Sequence, residues 1–435
     1  MNEFVTVVGA GLAGSEAVWQ LAQRGHRVRL VEMKPKCFSP AHQSEGFGEL
    51  VCSNSLKADY LSNASGLLKA EMRQFDSLIL KAADASRLPA GGALAVDRTA
   101  FSAYITDALS GHPLVEVVRE RLDEIPPEPA IIATGPLTHE ALSDSIKALP
   151  GFSQMHFFDA EAPIVTLESL DMNKVFAASR YGKGDDDYLN CPMNEDEYNA
   201  FYDALVSAET AEVHDFDKNL VFEGCIAVEI LAQRGRQTLA YGPMKPVGLV
   251  DPRTGRMPYA VVQLRRDNLS GSLYNLVGFQ TRLKFGEQKR VFGMISGLEH
   301  AEFARYGVMH KNTYLNSPDV LDVNYQVRGR PFLRFAGQMT GVEGYMESAA
   351  SGLVAALGLG MRLEGKNEPD FGDMTLLGAL TRHTVTPTGD FQPMNANFGL
   401  LPPLEKKIRN KKERYDLISQ RALGEIGRIK HEYAL

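Results

Sequence analysis

The feature that most constrains this chain stands close to its first residue. The apolar run Phe4-Val5-Thr6-Val7-Val8 ends directly in Gly9-Ala10-Gly11-Leu12-Ala13-Gly14. A short β-branched run reads as a buried strand, and G-x-G-x-x-G at its end reads as the turn into a helix. Gly9 permits the tight turn, Gly11 lets the backbone approach a pyrophosphate, and Gly14 lets the helix lie against the strand. Phosphates then face the helix N-terminus, whose N–H groups have no partner within the helix. The helix continues through Glu16, Ala17, Trp19 and Leu21 to Gly25, and a second strand over residues 27–31 ends in Glu32. An acid at that place accepts hydrogen bonds from adenosine ribose hydroxyls. These signals fall in order within about 30 residues, which makes them far more specific than an isolated glycine motif.

Distant segments extend the same unit. Pro129-Ala130-Ile131-Ile132-Ala133-Thr134-Gly135 and Phe332-Leu333-Arg334-Phe335-Ala336-Gly337-Gln338 each read as a buried strand with a glycine exit. After the second come Gly341, Gly344 and a helix of small residues over 347–357, an arrangement that sets backbone N–H groups beside a flavin. The expected fold class is therefore α/β, with a Rossmann-type FAD-binding domain assembled from both chain ends, residues 1–165 and 315–435. The stretch 166–314, rich in acids and turns, reads as an inserted α+β domain. Two domains suit the length, since 435 residues exceed what one core usually organises. Within the insertion, residues 242–255 carry three prolines and three glycines. They form neither helix nor central strand, and such a rigid loop often lines a site.

Charge and cysteine usage narrow the partners. The 46 Lys+Arg against 54 Asp+Glu leave a formal charge of -8, so a polyanion must be met by a local basic patch. Candidates are Arg282, Lys284, Lys289 and Arg290, and the run Lys406, Lys407, Arg409, Lys411, Lys412 and Arg414. From charge alone, each is first a solvated helix face. Four cysteines without CxxC spacing suit a reducing cytoplasm rather than a disulfide framework. The N-terminus leaves no room for a signal peptide, and no apolar run approaches the roughly 20 residues that span a bilayer.

Several segments closely resemble one family, the folate- and FAD-dependent tRNA (uracil-5-)-methyltransferases. Besides residues 9–14 these are Val51-Cys52-Ser53-Asn54-Ser55-Leu56, Phe222-Glu223-Gly224-Cys225, the run 241–249, Asn275-Leu276-Val277-Gly278-Phe279-Gln280-Thr281, the run 336–345 and the run 391–399. The run from Gly337 to Tyr345 also resembles the longer GidA-type flavoproteins that modify wobble uridines. One departure stands out: the family usually has proline two residues after the second motif cysteine, where this chain has Ala227.

The resemblance implies an enzyme that methylates carbon 5 of a uridine in the tRNA T-loop, position 54, with 5,10-methylenetetrahydrofolate as carbon donor. The donated carbon is one hydride short of a methyl group, so FAD and NADH or NADPH are implied as reductants. Carbon 5 becomes nucleophilic once a thiolate adds at carbon 6. The resemblance assigns that addition to Cys225 and the handling of the carbon unit to Cys52, with the exchanged assignment left open. Taken alone, each cysteine is a small buried hydrophobe, and Cys37 and Cys191 keep that reading. Cofactor contacts are implied for Gly337, Gly344 and Tyr345, the last by stacking. His310 and Asn397 are weaker candidates for folate. RNA contacts fall first to Arg282 and Lys284, then to Lys406 and Lys407. None of Glu223, Glu229 and Glu343 stands out as a base, and no obligatory protein partner is expected. Rival readings are the same chemistry on ribosomal RNA, a small-molecule flavin oxidoreductase, and a GidA-like subunit acting with a GTPase.

Overall fold

The computed structural model describes residues 4–152, 154–182, 185–211, 226–387 and 391–435, with the side chains of 154–159 and 310–311 left aside. Strand β1 (Val5–Val8) leads into helix α1 (Leu12–Gln23) and strand β2 (Val28–Glu32). Helix α2 (Arg98–Ser110), β3 (Val115–Arg119) and β4 (Ala130–Ile132) follow. The middle of the chain then supplies β5 (Ile164–Thr166), β6 (Phe176–Ala177), β7 (Tyr188–Met193), helix α3 (Val228–Ala232), β8 (Ala260–Arg266), β9 (Leu273–Leu276) and β10 (Phe303–Arg305). The chain returns through β11 (Gln326–Val327), β12 (Arg330–Phe335), α4 (Tyr345–Leu363) and α5 (Lys411–Tyr433).

Two six-stranded sheets result. The first has the order β11-β12-β4-β1-β2-β3, parallel from β12 to β3 and antiparallel only at β11. Val7, Leu30, Ile131 and Leu333 on its inner strands are wholly buried, as expected where helices cover both faces. The register sets Val8 beside Val31 and Ile132, and Ile132 beside Phe335, so the C-terminal ends of four strands line up. That row of strand ends is where open α/β sheets bind ligands. The second sheet, β6-β7-β8-β9-β5-β10, is antiparallel throughout. Antiparallel pairing needs only short connections, which suits the turn-rich composition of this stretch.

Each sheet has its own core. One gathers residues from both ends of the chain, from Val5 through Ile146 and again from Leu315 through Ile429. The other lies wholly within 165–301 and centres on Phe201, Phe279 and Phe292. An antiparallel ribbon of Gln154–Ala160 and Met309–Leu315 runs between them. In the first core, α4 presses on α1 so closely that a Cβ on Gly352 would lie 2.1 Å from the Ala13 carbonyl oxygen. Only glycine fits there, and this contact brings the N-terminus of α4 to the end of β1. Helix α4 begins at Tyr345 and ends at Leu363, two residues before and six after the small-residue segment, because the apolar Met346, Leu359 and Met361 beyond that segment are buried as well.

Candidate active site

A cleft opens at the C-terminal ends of β1, β2, β4 and β12. Gly9 takes φ +96°, which turns the chain sharply out of β1. Gly11 lines the cleft, and a Cβ built on it meets no heavy atom within 4 Å, so its surface is open to an incoming group. Ala10, Leu12 and Ala13 border the same wall. Gly14 is different: its Cβ would lie 1.8 Å from the Gly9 carbonyl oxygen, so it serves helix packing alone. Glu32 is 5% exposed and accepts N–H bonds from Ala10 at 2.7 Å and Lys34 at 3.0 Å. Those bonds fix the carboxylate at the end of β2 and leave it acceptor capacity on the cleft side. A nucleotide diphosphate fits this wall: an open glycine backbone, the N-terminus of α1, and a fixed acid one strand away. Residues 120–122, Thr134 and Gly135 also line the cleft, Thr134 beside Gly9 and Glu120 beside Glu32.

The far end of the cleft holds Cys52 and Tyr345 side by side. The Tyr345 hydroxyl accepts N–H bonds from Cys52 at 2.8 Å and Ser53 at 3.2 Å, and donates to the Cys52 Sγ at 3.3 Å. Burial, reinforced by negative charge at Cys52, holds the phenol well above its usual pKa, so it stays a neutral donor. Its ring, which also borders the cleft, is tethered by its hydroxyl to the thiol loop. Gly337 (φ +87°) and Gly344 (φ +122°) turn the backbone on either side of residues 338–343, and Gly337 donates to the Ser351 hydroxyl at 2.7 Å. Gly337 lines the cleft; Gly344 lies behind it against Glu347.

Two guanidinium groups grip the residues on either side of Cys52. Arg98 donates to the Leu50 carbonyl at 2.5 Å and to Asp267 at 3.2 Å. Arg265 donates to the Asn54 Oδ1 at 2.9 Å and to the Ser53 hydroxyl at 2.8 Å. Burial alone would lower the pKa of Arg98, but Asp267, Tyr345 and Cys52 outweigh it and raise it. Burial lowers that of Arg265. Asn54, itself fully buried, also donates to the Val96 and Arg266 carbonyls. The thiol loop of the first half is thus bolted to β8 and Asp267 of the middle sheet. The sequence motifs include Asn54 but do not mark Arg98, Arg265 or Asp267. A signal was there: Arg265, Arg266 and Asp267 break off an apolar strand, and charges in that position need buried partners.

Other expected residues are spread out. Cys225, Glu223 and the side chain of His310 lie outside the described residues. Arg282 is not a surface cation: its side chain is 13% exposed and its Nε lies 3.9 Å from Glu229, whose carboxylate also accepts from the Arg282 backbone N–H at 3.0 Å. Lys284 is exposed and paired with Glu209 at 2.7 Å. Lys406, Lys407 and Arg409 are exposed on the segment before α5, not on a helix, and only Lys411, Lys412 and Arg414 belong to α5. Asn397 folds into its own turn, accepting from Gly399 and donating to the Asn395 carbonyl. Glu229 is consumed in holding Thr281 and Arg282, and Glu343 accepts from Gln338 at 2.6 Å. Cys191 is fully buried in β7 and burial pushes its thiol up, whereas Cys37, expected to be buried too, is half-buried near Arg121. The loop 242–255 does not border the cleft; it packs Pro243 under Gly278 and offers the Val247 carbonyl to Arg180.

Fold and cleft define a Rossmann-type dinucleotide protein whose strand ends carry a thiol and a phenol. The family model described as Glucose inhibited division protein A matches residues 4–367. The backbone superposes on two crystal forms of Aquifex aeolicus GidA with a TM-score of 0.71 each, at 14% and 16% identity. Those alignments cover 99% and 100% of this chain but 73% and 78% of the solved chains. Much nearer are proteins named methylenetetrahydrofolate–tRNA-(uracil-5-)-methyltransferase TrmFO. That of Listeria monocytogenes EGD-e is 57% identical over 99% of this chain and 100% of its own length. That of Staphylococcus carnosus TM300 is 58% identical over 96% and 97%. The chain belongs to the TrmFO family.

Proposed function

We propose that this protein methylates carbon 5 of a tRNA uridine, at position 54 of the T-loop, using 5,10-methylenetetrahydrofolate as carbon donor and NADH or NADPH as the source of electrons. The observation that carries the reading is a single cleft that joins the glycine wall and Glu32 to Cys52 and Tyr345, in a chain 57% identical to a protein of that name. The overall change balances: uracil, the methylene unit, one hydride and one proton give 5-methyluracil and tetrahydrofolate, with NAD(P)H oxidised. FAD, held by residues 9–13, Glu32 and Gly337, supplies hydride transfer when bound. The chain's own residues do the rest. Cys225 adds to carbon 6 of the uracil, and the carbon-5 proton leaves after methyl transfer. Cys52 faces the carbon unit, oriented by the Tyr345 hydroxyl and kept in place by Arg98 and Arg265 through the loop on both sides.

The division into 1–165 plus 315–435 and 166–314 is part of the same reading, supported by the two separate cores. So is a cytoplasmic setting, where folate, tRNA and nicotinamide reductant meet; among the described residues, no helix is long and apolar enough to cross a membrane. The test uses purified protein, tRNA lacking the modification, and carbon label in either methylenetetrahydrofolate or S-adenosylmethionine. Label is expected in tRNA ribothymidine from the folate only, and only with NADH or NADPH. Label from the sulfonium donor alone refutes the proposal, because a finished methyl needs no reductant.

A further inference from the structure

A second cleft lies between the two halves of the molecule. One side is Ala58, Tyr60 and residues 90–93 of the first half; the other is Ser179, Arg180, Tyr181, Tyr188 and Gln263 of the middle sheet. Three observations point to what it takes. Arg180 is held from behind, donating its Nε to Gln263 at 2.8 Å and an Nη to the Val247 carbonyl at 2.9 Å, and burial lowers its pKa. No described carboxylate pairs with it, so a partly desolvated cation keeps unused donors. Two tyrosines rim the cleft, Tyr181 at 63% exposure and Tyr60 at 50%. Each rests on a glycine, Tyr181 on Gly248 and Tyr60 on Gly92, so close that a Cβ would stand 3.0 Å from the ring. Glycine beneath one side leaves the rest of each ring to solvent. Finally, Tyr181 sits at φ +57°, ψ 22°, a left-handed conformation that a bulky side chain adopts at a cost and that concentrates at ligand sites.

We propose that this cleft is a second RNA subsite, where a nucleobase near the target uridine stacks on a tyrosine while Arg180 donates to its acceptor edge. A guanidinium beside exposed aromatic rings is the chemistry that recognises unpaired bases. A nearby acid favours a base over a phosphate here: the Asp187 carboxylate accepts from the N–H of Gly91, which lines the cleft, at 2.6 Å. Position supports the same occupant. Ala58 follows Cys52 by six residues, which span at most about 20 Å even fully extended, so a few nucleotides of one strand reach from the thiol to this cleft. The subsite rests on the tRNA reading above and extends it to recognition of a neighbouring base.

The test is tRNA affinity and KM of the full-length, FAD-loaded protein. Tyr181→Ala, Tyr60→Ala and Arg180→Gln are each expected to weaken tRNA binding about tenfold, the scale of one lost base stack, with the KM for methylenetetrahydrofolate unmoved. Tyr181→Phe keeps the ring and is expected to bind tRNA like the wild type. Tyr104→Ala, an exposed tyrosine on α2 outside both clefts, serves as the control. Affinity within twofold of wild type in all three variants overturns the subsite, as does a loss in Tyr181→Phe equal to that in Tyr181→Ala. Wild-type protein that cannot methylate tRNA refutes the enzyme reading and the subsite with it. Methylation by the wild type with unaltered binding by the variants refutes the subsite alone.

Discussion

Cys52 and Cys191 carry the same atom in the two halves of the molecule, and their surroundings give them different work. Cys191 lies on β7, in the interior of the antiparallel sheet, where burial pushes its thiol up and nothing polar reaches it from the strand pairing. Cys52 lies on a loop over the strand ends of the parallel sheet, against a phenol and between two residues gripped by guanidiniums. Parallel strands enter and leave through loops at opposite ends, so one edge collects every loop that can hold a ligand. Antiparallel strands connected by short turns spend their residues on a core. The access of each thiol thus follows topology.

The largest effect is expected at Gly11. Gly11→Val sets a branched side chain in the open space above the glycine wall, and the protein should purify colourless, checked by the flavin absorbance released on denaturation. Cys191→Ala should stay yellow. Full flavin occupancy in Gly11→Val would sink the assignment of that wall. Next comes the thiol chemistry. A tRNA carrying 5-fluorouracil should trap the wild type as an adduct that survives denaturation, since fluorine cannot leave as the carbon-5 proton does. Cys225→Ala should lose the adduct and keep FAD, whereas Cys52→Ala should lose methyl transfer and keep the adduct. The opposite pattern on gels exchanges the two roles.

Smaller effects probe how the halves are joined. Arg265→Met leaves the buried Asn54 Oδ1 without its donor, for a cost of about 1–3 kcal/mol. Both the melting temperature and the rate of methyl transfer should fall, because the same side chain holds the loop of Cys52. Loss of neither would uncouple the middle sheet from the site. A pH effect is expected from the first core. Glu71, fully buried, accepts from Leu376 at 2.8 Å and Leu377 at 2.9 Å, and burial pushes its carboxyl up to about 8. An unfolded chain releases that proton near 4.5, so between 4.5 and about 8 the folded protein binds one proton more. Stability from this group is full below the lower value and declines as pH rises through the upper, by up to ~1.4 kcal/mol per pH unit. Denaturant titrations should show the decline flattened in Glu71→Gln; an unchanged slope would assign it elsewhere. The smallest effect is at Ala227, which holds φ -60° before α3. That angle suits proline, so Ala227→Pro should shift stability by less than about 1 kcal/mol and leave activity intact. A loss of several kcal/mol would mean that the buried site has no room for the ring.

The glycine wall, Glu32, the strands read over 129–135 and 332–338, and the return of the chain to the first sheet were legible in the sequence. Those features are local: a strand, a turn that only glycine makes, and an acid at a fixed spacing leave their marks in consecutive residues. It also pointed to Cys52 and Tyr345, though 293 positions separate them and nothing in the sequence said that the hydroxyl would bond to the thiol loop. What only the tertiary structure decided is which charges meet. Arg282 looked like a surface cation and is turned inward on Glu229, while Arg265, which no motif marks, reaches across to Asn54, 211 residues away. Side-chain partners at that separation are set by how two sheets pack against each other, and packing depends on the whole chain at once, whereas a glycine turn depends on a handful of neighbours.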